Sequence, residues 1–182
     1  MTGGIIQLAA YGVEDMFITK DPQITFFKTI YRRHTNFSTE PIAQYFTQTL
    51  DFSMKATCPI SRNADLASKS YLVLTLPSIN FADNTTKVAW VKKIGFAIIN
   101  YIEIEIGGQS IDKHYGEWLN IWYELTQEKT NAYNKMIGNI SELTDYTFSK
   151  NNYTLYIPLD FWFCKSYGMA LPLVSLRYSN VN

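Results

Sequence analysis

Two histidines, two cysteines and a few carboxylates are the side chains here that can do chemistry near neutral pH, and their spacing does not assemble a reaction centre. His34 ends the run Arg32-Arg33-His34, after a predicted helix, whereas His114 follows a predicted hairpin, so the two possible general bases sit in unrelated contexts. A metal centre on a β-sandwich needs two or three histidines with a carboxylate on neighbouring strands, which this placement does not supply. Cys58 and Cys164 lie far apart, with no CxxC pair and no base nearby in sequence. One disulfide between them is an alternative, but two buried thiols is the preferred reading. Glu103 and Glu105 share one strand face, as a glycosidase pair would, yet a solvated sheet face explains them more simply. There is no GxSxG elbow, P-loop or HExxH. The expectation is a protein that is not an enzyme, with no catalytic, cofactor-binding or metal-binding residues and no cofactor.

The remaining motifs have plain readings too. Arg32-Arg33-His34 is the only concentrated positive charge, and a helix C-terminus favours cations through its dipole. Four N-x-S/T sequons begin at Asn36, Asn84, Asn139 and Asn152, but no secretory signal precedes them. Trp118 and Trp122, one helical turn apart, read as core anchors in preference to a sugar-stacking platform.

The 182 residues carry 16 basic and 16 acidic side chains, hence no net charge, and charged residues make up only 18% against 15% aromatics. That balance excludes a charged disordered tail and argues against a generic electrostatic nucleic-acid binder, so no specific nucleic-acid partner is expected. A weakly charged surface suits large permanent contacts with copies or partners. No run reaches the roughly 18 to 20 apolar residues of a membrane helix. The composition points to a single domain folded in a reducing cytosol.

The elements that would position these residues follow from periodicity. Residues 1–20, with Gly3, Gly4 and Gly12, read as an amino-terminal arm without a core of its own. Asp21-Pro22 starts a helix carrying Ile24, Phe27 and Tyr31. Strands are predicted at 43–50, 53–60, 71–76, 96–106, 153–159 and 173–181, with a return at 109–113 through the Gly107-Gly108 turn. Phe96, Ile98, Ile102 and Ile104 should face the interior and Glu103 and Glu105 the solvent. Tyr115, Trp118, Leu119, Trp122 and Leu125 mark a helix, and 129–151 reads as a long polar loop. In the last strand, Val174, Leu176 and Tyr178 share a face. The fold class is therefore all-β, an antiparallel sandwich with short helices in the connections.

Seven blocks, in order, resemble a known family. They include Gly4-Ile5-Ile6-Gln7-Leu8, Pro22-Gln23-Ile24-Thr25-Phe26-Phe27-Lys28, and Tyr31-Arg32-Arg33-His34-Thr35-Asn36-Phe37. Ile60-Ser61-Arg62-Asn63-Ala64-Asp65-Leu66, Leu74-Thr75-Leu76-Pro77 and Glu103-Ile104-Glu105-Ile106-Gly107-Gly108-Gln109 follow, and Pro158-Leu159-Asp160-Phe161-Trp162-Phe163 with Ala170-Leu171-Pro172-Leu173 completes the series. The chain is similar to the amino-terminal portion of major capsid proteins of large icosahedral double-stranded DNA viruses, the double jelly-roll lineage of giant algal and amoebal viruses. That resemblance implies a structural subunit that self-assembles into trimeric capsomers of an icosahedral shell. It implies as partners copies of itself, neighbouring capsomers and minor capsid proteins, with an internal viral membrane close by. It places the protein in the virion capsid after assembly in the host cytoplasm. Since 182 residues hold one jelly roll at most, residues 21–182 are expected to form the first, incomplete at its carboxy-terminal end, with an open sheet edge beside 173–181. The rival is a carbohydrate-binding jelly roll used in host attachment.

Overall fold

The structure, a computed structural model, describes residues 35–81, 85–126 and 130–182. The chain divides into two compact units, Met1–Ile42 and Ala43–Asn182. Within the first, the described residues 35–42 hold no helix or strand, and the expected arm at 1–20 and helix from Asp21 lie outside the described residues. The second unit carries strands β1 (Leu66–Ala67), β2 (Ser70–Leu76), β3 (Ile79–Asn80), β4 (Tyr101–Ile106), β5 (Gln109–Tyr115), β6 (Ser149–Lys150), β7 (Tyr153–Leu159) and β8 (Leu171–Pro172). Its helices are α1 (Ile94–Ala97), α2 (Gly116–Thr126), α3 (Asn131–Ile137) and α4 (Ser141–Thr144), with 3-10 turns at Trp162–Cys164 and Tyr167–Met169.

Every ladder is antiparallel and the pairing is nested: β1 with β8, β2 with β7, β3 with β6, β4 with β5. The β3–β6 pairs Ile79↔Lys150 and Asn80↔Ser149 keep the register of β2–β7 across the interruption at Pro77, which has no N–H to give. In β2 and β7 the period-2 pattern turns Leu72, Leu74 and Leu76 inward with Leu155 and Ile157, and leaves Tyr71, Val73, Thr75 and Tyr156 outside. Pro158 is tolerated inside β7 because that strand has a single hydrogen-bonded neighbour. The β4–β5 turn is built as expected: Gly107 and Gly108 both hold positive φ, 61° and 79°, as a primed two-residue hairpin turn demands. One bulge, at Ile111, shifts the register between Ile104 and Glu105.

Two apolar clusters form. The larger joins Leu76, Leu155 and Ile157 of the ladder to Ile94 and Phe96 of α1, Leu119 and Tyr123 of α2, Ile137 of α3 and Leu143 of α4. The smaller joins Ile104 to Phe161, Phe163, Leu171, Leu173 and Val181. The helices therefore do more than connect strands. They supply six of the nine buried residues of the main core.

Four expectations are corrected. Residues 43–50 and 53–60 form no strand: one backbone bond, Thr47 N–H to the Thr57 carbonyl at 3.0 Å, ties them below a turn where Asp51 Oδ1 accepts from Phe52 N at 2.7 Å. The strand expected from 96 begins only at Tyr101, because Lys93 in left-handed backbone, φ 55°, opens α1 instead. Gly95 is needed there, since a Cβ would lie 3.0 Å from Ile157 Cγ1 and 3.1 Å from the Ile137 carbonyl oxygen. The expected loop at 129–151 contains α3 and α4; Thr130 caps α3 by accepting from Tyr133 N, and Gly138 ends it with φ 77°. Finally, 173–178 is a run of turns with i→i−3 bonds from Ser175 to Pro172 and from Leu176 to Leu173. Val174 and Tyr178 are exposed there and Leu176 half-buried, so they make no strand face. Among the described residues hydrogen bonding joins the strands into four two-stranded sheets.

Candidate functional site

The chemically able residues come first. His34 lies outside the described residues. His114 stands on the inward face of β5, opposite Ile102, with Asp112 beside it opposite Ile104. Its Nε2 is 3.3 Å from Asp112 Oδ1, its ring stacks on Phe161 at 5.0 Å, and its Nδ1 is buried without a hydrogen-bond partner. Asp160 lies close enough to feel His114: burial holds its carboxyl above the usual range, while His114 and Lys165 pull it back. Cys164 Sγ donates to the Ser68 carbonyl at 3.3 Å, and burial pushes its thiol up, away from the thiolate a nucleophile needs. Cys58 is likewise pushed up by burial and donates to the Tyr45 carbonyl at 3.5 Å. Both are free thiols.

The His114 ring is packed flat against Phe161 with Asp112 beside it, and the arrangement brings no nucleophile with it. Among the described residues no group of three or more His, Cys, Asp or Glu is placed to hold a metal ion. Glu103 and Glu105 are half-buried, which corrects their expected exposure. Glu103 faces Lys113 across the hairpin, and Lys113 Nζ sits 3.9 Å over the Tyr101 ring. Glu105 exchanges two 3.0 Å backbone bonds with Asn182, which covers that side of the strand. The interior assignments of Phe96 and Ile104 hold, with Ile98 and Ile102 half-buried. Of the sequon asparagines, Asn36 and Asn152 are exposed, Asn139 is half-buried and bonded to Asn134, and Asn84 lies outside the described residues.

Three polar anchors escaped the sequence reading. Lys150, only 3% exposed, donates from Nζ to the carbonyls of Glu142 and Asp145, each at 2.6 Å, closing the end of α4. Lys93 Nζ binds Asn120 Oδ1 at 2.9 Å and the Glu124 carboxylate, fixing α1 to α2. Arg62 donates from its guanidinium to the carbonyls of Arg177 at 2.7 Å and Ser179 at 2.8 Å, clamping the run of turns. The partners of Lys150 are backbone carbonyls that no sequence motif spells.

What the surface does offer is apolar area. The outer face of β2–β7 shows Tyr71, Val73 and Tyr156; the segment 43–60 shows Tyr45, Phe52 and Met54; α2 shows Trp118, Ile121 and Leu125. Trp118 and Trp122 stack on each other with centroids 5.7 Å apart, but they are not core anchors: Trp118 is 43% exposed and Trp122 half-buried, while the neighbouring Leu119 and Tyr123 fill the core. Exposed patches of this kind mark interaction surfaces more than reaction sites.

Comparison with known proteins gives this surface a context. The family profile described as "Major capsid protein N-terminus" matches residues 25–182. The chain is 50% identical to the "Probable capsid protein 4" of Acanthamoeba polyphaga mimivirus over 100% of its own length and 37% of that protein's. It is 43% identical to the major capsid protein of Phaeocystis pouchetii virus, again over all of this chain and 40% of the relative. Among solved structures it resembles the PBCV-1 VP54 crystal structure fitted into a reconstruction of the virophage Sputnik, with TM-score 0.68 and 32% identity over 86% of this chain and 36% of that one. The chain thus spans about two fifths of the length of the curated relatives it matches.

Proposed function

The chain belongs to the major capsid protein N-terminus family, and from that premise we propose that it serves as a structural subunit of an icosahedral virus shell, working by shape and buried area and not by catalysis. The observation that carries this reading is the nested pairing of the eight strands among the described residues, first with last through fourth with fifth, which is how a jelly-roll ribbon winds. The solved relatives that the chain resembles include a PBCV-1 virus capsid, at TM-score 0.65 and 33% identity, which supports the same reading.

In finer terms, residues 21–182 form the first of two tandem jelly rolls, with 1–20 as an arm that ties the base to a neighbour. The whole protein assembles as trimeric capsomers in the host cytoplasm and ends in the virion capsid. Its partners are its own copies, neighbouring capsomers and minor capsid proteins, near an internal membrane. Many weak repeated contacts suffice to hold such a shell, because each subunit makes several at once.

Size-exclusion chromatography and electron microscopy of the gene product that carries this chain test the reading. Capsomer-sized trimers are expected; a persistent monomer would overturn it. The rival carbohydrate-binding module draws on the outward Trp118–Trp122 stack, and it predicts glycan binding by the monomer.

A further inference from the structure

Helix α2 is apolar on two opposite sides. One side, with Gly116, Leu119 and Tyr123, is buried in the main core, and Gly116 fits so closely that a Cβ would drive into the carbonyl oxygens of Phe96 and Ile99. At 100° per residue, Trp118, Ile121 and Leu125 fall on the opposite side, where they are 43%, 51% and 74% exposed. Between the two sides run Glu117, Asn120 and Glu124, the last two held by Lys93. A surface helix of a soluble protein ordinarily carries one apolar stripe, and a helix apolar on both sides is ordinarily covered on both. The outer stripe presents on the order of 300 Å² of side chain, within the range of the largest patch on a typical monomer and a substantial part of the ~800 Å² each partner gives to a stable interface.

The stripe's margins bear opposite charges. Glu117 lies along one margin; Lys165, its Nζ 5.6 Å over the Trp122 ring, lies along the other. When two copies meet about a twofold axis with these helices parallel, each acidic margin faces a basic one. These 182 residues carry no net charge, so they add no long-range repulsion between copies. Tryptophan is also the side chain most enriched among residues that dominate interface energy.

Building on the capsid-subunit reading, we propose that the outer stripe of α2, centred on Trp118 and Ile121, is a twofold contact between two copies of this chain. Ile121 sits near the axis and Trp118 supplies the main apolar anchor.

The experiment uses the full gene product. Ile121→Cys under mild oxidation is expected to give a covalent homodimer that the unsubstituted protein, with Cys58 and Cys164 present, does not give. Trp118→Asp and, separately, Leu125→Glu at the last turn are expected to weaken self-association measured by sedimentation on the order of 10- to 100-fold, with the melting temperature kept by at least one of them. Assembly into capsomers with no dimer through residue 121 and no effect of either substitution would overturn this contact and leave the capsid reading standing. A gene product that stays monomeric at every concentration would remove both. Loss of binding to a glycan array or to neutral phospholipid vesicles in Trp118→Asp, with self-association intact, would assign the stripe to that other occupant and overturn the contact between copies.

Discussion

The β2–β7 ladder and the turn-joined segments 43–50 and 53–60 each bring two stretches of chain side by side, and they differ in how far they are buried. Behind the ladder, α1 and α3 pack on β7, so Leu155 and Ile157 have no exposed surface at all. Seven residue pairs run in unbroken register, and Thr75 and Thr154 join their hydroxyls across the outer face at 3.3 Å. None of residues 43–60 is fully buried, and Tyr45, Phe52 and Met54 among them stand in solvent. Both segments carry alternating Thr- and aromatic-rich sequence. A period of two becomes a regular strand where one of its faces is buried, because the burial and not the alternation supplies the free energy.

That contrast can be broken most forcefully at Leu155. Leu155→Ala removes a fully buried side chain packed against the Gly138 turn, and a loss of about 2–5 kcal/mol is expected from urea unfolding, with the slope unchanged. A cost below about 1 kcal/mol would show that the ladder is no better supported than residues 43–60. Lys150→Ala comes next. It strips the donors from the Glu142 and Asp145 carbonyls where the ladder's register continues into β6, and a loss of about 1–3 kcal/mol is expected. If thermal melting is unmoved, water serves those carbonyls equally well.

A smaller effect, and one of opposite sign, is expected at Asp160, directly after β7. Burial raises its carboxyl pKa in the folded state above the unfolded value, so the folded chain binds more protons in the interval between the two. The resulting contribution is full below the unfolded pKa and is lost as pH rises through the folded one, leaving a net cost at pH 7. Asp160→Asn should therefore raise the melting temperature at pH 7, with the gain shrinking as the pH is lowered into the carboxylate range. A gain independent of pH would point away from titration. The smallest effect belongs to the segment 43–60: Phe52→Ser should shift unfolding by no more than about 0.5 kcal/mol, and a larger loss would mean that its exposed aromatics are covered in solution.

The sequence was most legible where a signal is local. Leu72, Leu74 and Leu76 alternate cleanly, as do Leu155 and Ile157, and Gly107-Gly108 allows the positive φ that few other residues adopt. It was least legible where a four-residue helix imitates alternation: Phe96 and Ile98 continue the spacing of Ile102 and Ile104, and only Lys93 in left-handed backbone breaks the run. Helix α3 did leave marks, Thr130 before it and Gly138 after it, but the polar residues between them masked its period. Helix α2 offered two apolar stripes of equal quality. Gly116 decides between them, since a helix turns a glycine toward its closest neighbour, and that tells Leu119 and Tyr123 apart from Trp118 and Leu125. His114 could be named from sequence but not placed against Phe161 with Asp112 beside it, because the Phe161 contact joins segments brought together only by the fold.

The nested pairing also sets a schedule for folding. The innermost ladder, β4–β5, closes through two glycines and can form as soon as Tyr115 is made, whereas β2 has no partner until Tyr153 and β1 none until Leu171. Each outer ladder finds its loop already shortened by the one inside it, so the closure entropy is paid in small steps from the centre outward. During synthesis, however, Leu72, Leu74 and Leu76 must wait unpaired while the intervening segment emerges. The ribbon zips from its middle, and the half made first is the half that waits.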